Sequence, residues 1–303
     1  MLDILFLGTG ASIPSRDRAM PCAAVRCGSE TVLFDCGEGT QRQLMVSPFS
    51  FMKVKGIFIT HMHGDHFLGL PGLLQTMGLL GRKEKLTVCG PEGMSDCLGA
   101  VLSACEGKIE YELEIAELTH GGMIEFSEFT VSAFRTEHTV PSLGYKLSEK
   151  MSKGRFDKKK AEELGLRPGP DFARLQDGET VGNVTAEMVV GPPRPGCTLV
   201  YSGDTTPCGE LSEAAAGADV LIHESTFSGG ESRLAADHKH STSVQAAEAA
   251  KECGCRVLFL IHISNRYEDK GVIENEAKAV FENSVVPNDM DLYRVSKGSI
   301  EFV

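Results

Sequence analysis

The chain reads as an α/β fold with its working residues along one sheet edge, and three observations lead there. Apolar stretches of strand character alternate with helical ones, the pattern of helices packed on sheets. Several of those stretches run straight into polar residues: Ile57-Phe58-Ile59 into Thr60-His61, Leu199-Val200-Tyr201 into Ser202-Gly203-Asp204, Val220-Leu221-Ile222 into His223-Glu224, and Val257–Ile261 into His262. Polar side chains repeated at strand ends are how open α/β sheets build a site. Finally, His61, His63, Asp65 and His66 fall within six positions. A core has no use for such a cluster, whereas imidazole and carboxylate suit zinc and its neighbours.

The totals set the class. With 303 residues, 42% hydrophobic and 24% charged, the chain has the composition of a soluble globular protein with ample core. No apolar run is long enough to span a bilayer, and Met1 opens on strand-like Leu2-Asp3-Ile4-Leu5-Phe6 with no basic-then-apolar leader. The expected compartment is the cytoplasm. Ten scattered cysteines without C-x-x-C spacing fit small buried residues in a reducing environment better than a disulfide framework. A net charge of −12 argues against broad nucleic-acid binding, which needs lysine and arginine against phosphate, unless a basic patch is concentrated locally.

In order along the chain, the opening strand ends in Gly8-Thr9-Gly10, where glycine permits a tight turn. Thr31–Phe34 is a strand, rich in β-branched and aromatic residues, ending at Asp35-Cys36-Gly37-Glu38-Gly39-Thr40 before a helix from Gln41. A strand from about Val54 to Ile59, apolar without alternation, suits burial on both faces and delivers the cluster. Leu70–Met77 is a helix with Pro71 in its first turn. Leu86–Gly90 is a strand, and Ile124–Phe134 carries strands that deliver Thr136-Glu137-His138. Thr242-Ser243-Val244-Gln245 fits a capping box opening an alanine-rich helix that closes near Gly254.

Between these elements the character changes. Over 146–174, nine Lys and Arg stand against five Asp and Glu, a local balance of +4 in a chain of −12. Pro168-Gly169-Pro170 cannot continue a helix or a central strand. The stretch reads as an excursion over 147–178 from one domain spanning 1–303, not as a second core.

His61 and His63, two apart at a strand end, point to one side and suit one ion. Gly64 lets the chain turn, so Asp65 and His66 are expected to face a second ion. His138, Asp204 and His262 each follow an apolar strand and can reach the same edge; an aspartate there can bridge two ions. His120 and His238 lack that context and read as surface residues.

His61-Met62-His63-Gly64-Asp65-His66 resembles the H-x-H-x-D-H signature of the metallo-β-lactamase superfamily. Phe6–Gly10, Asp35–Gln41, Tyr201–Thr205, His223–Thr226, and His240-Ser241-Thr242 with Gln245-Ala246-Ala247 are similar to stretches of its ribonuclease Z family. That resemblance implies an αββα four-layer sandwich with an inserted flexible arm. It implies one zinc on His61, His63 and His138, another on Asp65, His66 and His262, and Asp204 bridging the two. It further implies hydrolysis of a phosphodiester in pre-tRNA, leaving a tRNA 3′-hydroxyl and a 5′-phosphorylated trailer. Asp65 would serve the nucleophile, and His240, oriented by Glu224, would protonate the leaving oxygen. The basic excursion, with Lys158, Lys159, Lys160 and Gly169-Pro170, would be the arm that grips tRNA. A homodimer is implied too, and neither a membrane nor a small-molecule cofactor. Pro14–Ala19 only loosely resembles the family's basic loop at that place. The rival reading keeps the zincs but gives them a small phosphodiester or arylsulfate.

Overall fold

Val257, Phe259 and Ile261 point into one core while Leu258 and Leu260 point into another, and the same alternation separates Leu2, Ile4 and Phe6 from Leu5 and Leu7. Two sheets covered on both faces follow from this pattern. The computed structural model describes residues 1–105 and 108–303. Its strands are, in chain order, β1 (Leu2–Gly8), β2 (Cys22–Cys27), β3 (Glu30–Phe34), β4 (Val54–Phe58), β5 (Leu86–Gly90), β6 (Leu113–Glu117), β7 (Met123–Glu125) and β8 (Phe129–Arg135). There follow β9 (Leu143–Glu149), β10 (Thr198–Tyr201), β11 (Val220–Glu224), β12 (Val257–Ile261), β13 (Ser284–Val285), β14 (Leu292–Val295) and β15 (Ile300–Phe302).

One sheet runs β15-β14-β1-β2-β3-β4-β5-β6 and the other β13-β12-β11-β10-β9-β8-β7. Their facing sides share a core that includes Phe6, Phe34, Phe58, Tyr145, Tyr201 and Phe259. Helices cover the outer side of each sheet, Gly69–Leu79 over the first and Ser243–Glu252 over the second. The result is the helix–sheet–sheet–helix sandwich expected. β3 to β6 are parallel, as are β10 to β13, so their carboxyl ends open on one side of each sheet.

The described residues form two compact units, Met1–Ser148 with Cys197–Val303, and Glu149–Gly196. The excursion expected over 147–178 falls almost wholly in the second, which runs on to Gly196. That unit has a small core of its own, Ala161, Phe172, Leu175, Val184 and Val189, where no second core was expected. Its helices span Lys158–Glu163, Pro170–Gln176 and Ala186–Val189; Asp157 caps the first by accepting the Lys160 amide, and Pro170 opens the second.

The helix expected after Asp35 runs Thr40–Val46, and the capping box at Thr242 and Gln245 is formed in both directions. All ten cysteines are free, six of them buried. No helix among the described residues is long and apolar enough to cross a membrane.

Candidate metal centre

Asp35 follows β3, the stretch from Thr60 to His66 follows β4, and His138 follows β8. Asp204, Glu224 and His262 stand at the ends of β10, β11 and β12. The seven expected ligands meet where these ends converge. Nε2 of His61 lies 2.9 Å from Nδ1 of His63, which in turn lies 3.3 Å from Nε2 of His138. Asp204 Oδ2 sits 3.7, 3.4, 3.9 and 3.4 Å from Nε2 of His61, His66, His138 and His262. Asp65 Oδ2 is 3.4 Å from His262 Nε2 and 3.7 Å from His66 Nε2. Ligand atoms of His61, His63 and His138 form one cluster, those of Asp65, His66 and His262 another, and Asp204 shares a group with His61 and His66.

Proton bookkeeping decides what the clusters hold. The far nitrogen of four rings is engaged: His61 Nδ1 by Thr60 Oγ1 at 3.0 Å, His66 Nδ1 by Asp35 Oδ2 at 2.8 Å, His138 Nδ1 by the Lys239 carbonyl at 3.0 Å, and His262 Nδ1 by Thr226 Oγ1 at 2.8 Å. With Nδ1 donating outward, each inward Nε2 is a lone pair facing other lone pairs and carboxylate oxygens. That crowding is repulsive unless a cation lies among them. His66 Nε2 and Asp204 Oδ1 are buried and have no hydrogen-bond partner, as atoms meant for a cation would be. The donor set of imidazoles and carboxylates therefore fits divalent ions.

The carboxylates call for positive charge at this place. Burial works to raise the Asp204 carboxyl, and positive charge carried by His262 and His66 holds it well below the usual carboxylate range, a task that a cation would take over once both rings are neutral. Against burial, the same positive charge, at His262 and His66, holds Asp65 low. Burial and the neighbouring His66 push His61 well down, toward the neutral form that binds metal. Burial also works to lower His240, yet Glu224, through charge and a 2.8 Å hydrogen bond, outweighs it and lifts the ring to about 9. The Glu224 carboxylate is buried and accepts the backbone N–H groups of Thr205, Ser241 and Thr226 besides.

Several residues that hold the site carried no role in the sequence reading. Asp35, inside a quoted motif, accepts from Thr60 N, Thr60 Oγ1, His66 Nδ1 and Tyr201 OH. Its place at a strand end was the available signal. Ser12 donates its backbone N–H to Asp65 Oδ2 at 2.8 Å. Ser12, Asp35, Lys239 and His262 are four of five described non-glycine residues with positive φ, so backbone strain is concentrated where the site needs its shape. Arg18 turns inward to Thr9 Oγ1 and the Pro287 carbonyl and braces the loop instead of reaching the cleft.

A cleft of about 400 Å³ opens over the clusters, lined by Asp65, His138, Asp204, Phe227, His240 and Arg266 among others. His238, expected at the surface, is exposed at its rim, while His120 is exposed and paired with Glu210. Lys158, Lys159, Lys160, Gly169 and Pro170 lie in the other unit, so they are not part of this cluster.

The β-lactamase superfamily domain model matches residues 30–263. The ribonuclease Z of Methanosarcina mazei is 49% identical over 297 residues, covering 96% of this chain and 97% of that protein. The ribonuclease Z of Bacillus licheniformis is 40% identical, covering 98% and 100%. The chain belongs to the ribonuclease Z family. Among solved structures, the short form of human tRNase Z is similar with a TM-score of 0.73 at 27% identity, covering 97% of this chain and 99% of that one. Family and fold make the protein a metal-dependent endoribonuclease, and the His/Asp clusters are where its divalent metal would bind.

Proposed function

We propose that this ribonuclease Z family member is a zinc-dependent, cytoplasmic enzyme that removes the 3′ trailer from pre-tRNA. The observation that carries the reading is two clusters of metal-ligating groups, with Asp204 between them, beside the half-buried His240 bonded to the buried Glu224. His61, His63 and His138 would hold one zinc, Asp65, His66 and His262 the other, with Asp204 between. When bound, such ions supply Lewis-acid polarisation of the phosphodiester and ease deprotonation of the attacking water.

The chain's own residues do the rest. Asp65, fixed by the Ser12 amide, orients the water and accepts its proton. Water attacks phosphorus, the P–O3′ bond breaks, and the electron pair leaves on the tRNA 3′ oxygen. His240, with Nδ1 committed to Glu224, donates its other proton to that oxygen. The products are a tRNA 3′-hydroxyl and a trailer with a 5′-phosphate.

The Glu149–Gly196 unit would be the tRNA-gripping arm. Its whole length carries nine basic and eight acidic residues, a balance of only +1, so distribution matters more than total. Lys153, Lys159 and Arg174 pair with Asp177, Glu163 and Glu179, whereas Lys158 and Lys160 line a cavity of about 790 Å³ with Arg155. Lys158 and Lys160 are the arm's primary phosphate contacts in this reading, with Lys159 and Gly169-Pro170 as further contacts of the same arm. Pairing of two copies is supported by the exposed Met45 and Leu68, which line one shallow cleft of about 280 Å³. The test is to incubate zinc-loaded protein with a 3′-extended pre-tRNA and map the cut. Release of a 5′-phosphorylated trailer from a tRNA ending in a 3′-hydroxyl is expected; an intact transcript alongside turnover of a small phosphodiester would overturn the assignment.

A further inference from the structure

Thr226 stands at a junction that the roles above do not use. Its hydroxyl oxygen lies 2.8 Å from Glu224 Oε2, 2.8 Å from His262 Nδ1 and 3.2 Å from His240 Nδ1, and the residue is buried. A hydroxyl brings one proton and accepts others. Glu224 can only accept, since its two oxygens already face the backbone N–H groups of Thr205, Ser241 and Thr226 and the Nδ1 of His240. The Thr226 proton therefore goes to Glu224. His240 has a shorter bond to Glu224 Oε1, at 2.8 Å, and spends its Nδ1 proton there. What remains for the Thr226 oxygen is to accept from His262.

We infer that Thr226 is a positioning residue whose hydroxyl, donating to Glu224 and accepting from His262 Nδ1, keeps the Nε2 of His262 bare as a metal donor. The inference rests on the metal-centre reading and deepens it. One carboxylate then governs two tasks: it holds the proton donor His240 directly and the ligand His262 through Thr226. The strained backbone of His262, with φ of 56°, makes this outer bond more consequential, because the ring is not held by a relaxed chain alone. The first sheet repeats the device. There Asp35 holds His66 directly and His61 through the hydroxyl of Thr60. In the first bracket both rings are ligands; in the second, one is a ligand and the other the acid.

The test reads zinc affinity with no RNA present, by competition against a chromophoric chelator. Thr226→Val keeps the shape and removes both hydrogen bonds; Thr226→Ser restores them. The valine variant is expected to bind one of two zincs about 10–100-fold more weakly. Its other constant should move less than about threefold, and the serine variant should match the parent within the same margin. A valine variant with parental affinity for both ions overturns the inference. Should that variant not fold, nitrogen-15 spectra of histidine in the zinc-loaded parent decide. His262 protonated on Nδ1 supports the assignment, and protonation on Nε2 overturns it. A parent that takes up no zinc sinks the metal centre and this inference together. A parent that binds zinc but leaves pre-tRNA intact sinks only the substrate assignment.

Discussion

Oδ2 of Asp35 lies 2.8 Å from Nδ1 of His66, and the same carboxylate reaches His61 through Thr60. One residue outside the seven clustered side chains thus holds a ring in each of the two clusters. Asp35→Asn keeps the shape but puts an amide where four donors converge. One amide hydrogen must then oppose a hydroxyl or imidazole proton. Metal content after dialysis is expected to fall at both positions, with affinity reduced about 10–100-fold. Full occupancy with parental turnover would show that Asp35 only braces the sheet.

The residues that meet in the two clusters were legible because they share a visible context, a histidine or aspartate close after an apolar strand. Thr60 and Thr226 were not, since a threonine beside a strand is ordinary and only the fold reveals the nitrogen that its hydroxyl meets. β2 was missed because Cys22-Ala23-Ala24 lacks the β-branched and aromatic residues that mark strands, though its neighbours bury all of it except Arg26. β14 was missed for a different reason: the pairing of Leu2 with Val295 spans nearly the whole chain, and no local pattern announces it. Charge alone set the expected bounds at 147–178, and the compact unit runs on to Gly196 because the residues after 178 that complete its small core carry no charge signal.

His240 bonds to Glu224 and lines the cleft. His240→Ala is expected to lower kcat by about 10²–10⁴ while both metals stay bound and KM changes little, the signature of a lost general acid. Unchanged cleavage of pre-tRNA would remove His240 from the mechanism and leave it as a support for the Thr242 cap.

The Glu224 carboxylate is the main reason that His240 is lifted to about 9 against burial. An acid must be protonated, so activity should decline as pH rises through the pKa of His240. Bound cations would lower that pKa in parent and variant alike. Glu224→Gln removes the lifting charge, so the alkaline limb of kcat should move to lower pH by about one unit or more. Profiles of kcat against pH for parent and variant check this, and an alkaline limb that stays in place would separate Glu224 from the protonation of His240.

Exposed lysines on the helix Lys158–Glu163 give the arm its test. If Lys158 and Lys160 touch tRNA phosphates, replacing both with alanine removes two counterion-release contacts. The slope of log Kobs against log salt should then flatten by about 1.4–1.8. Hydrolysis of a small phosphodiester, which needs only the metal centre, should remain at the parental rate. Binding titrations at several salt concentrations, run beside the small-substrate assay, separate the outcomes. Equal losses on both substrates would mean that the substitutions disturb the catalytic unit. Parental binding with an unchanged slope would mean that these lysines are a solvated surface. Paired lysines and arginines in the same unit supply an internal control: Lys153, held by Asp177, should change the slope less when replaced than either cavity-lining lysine.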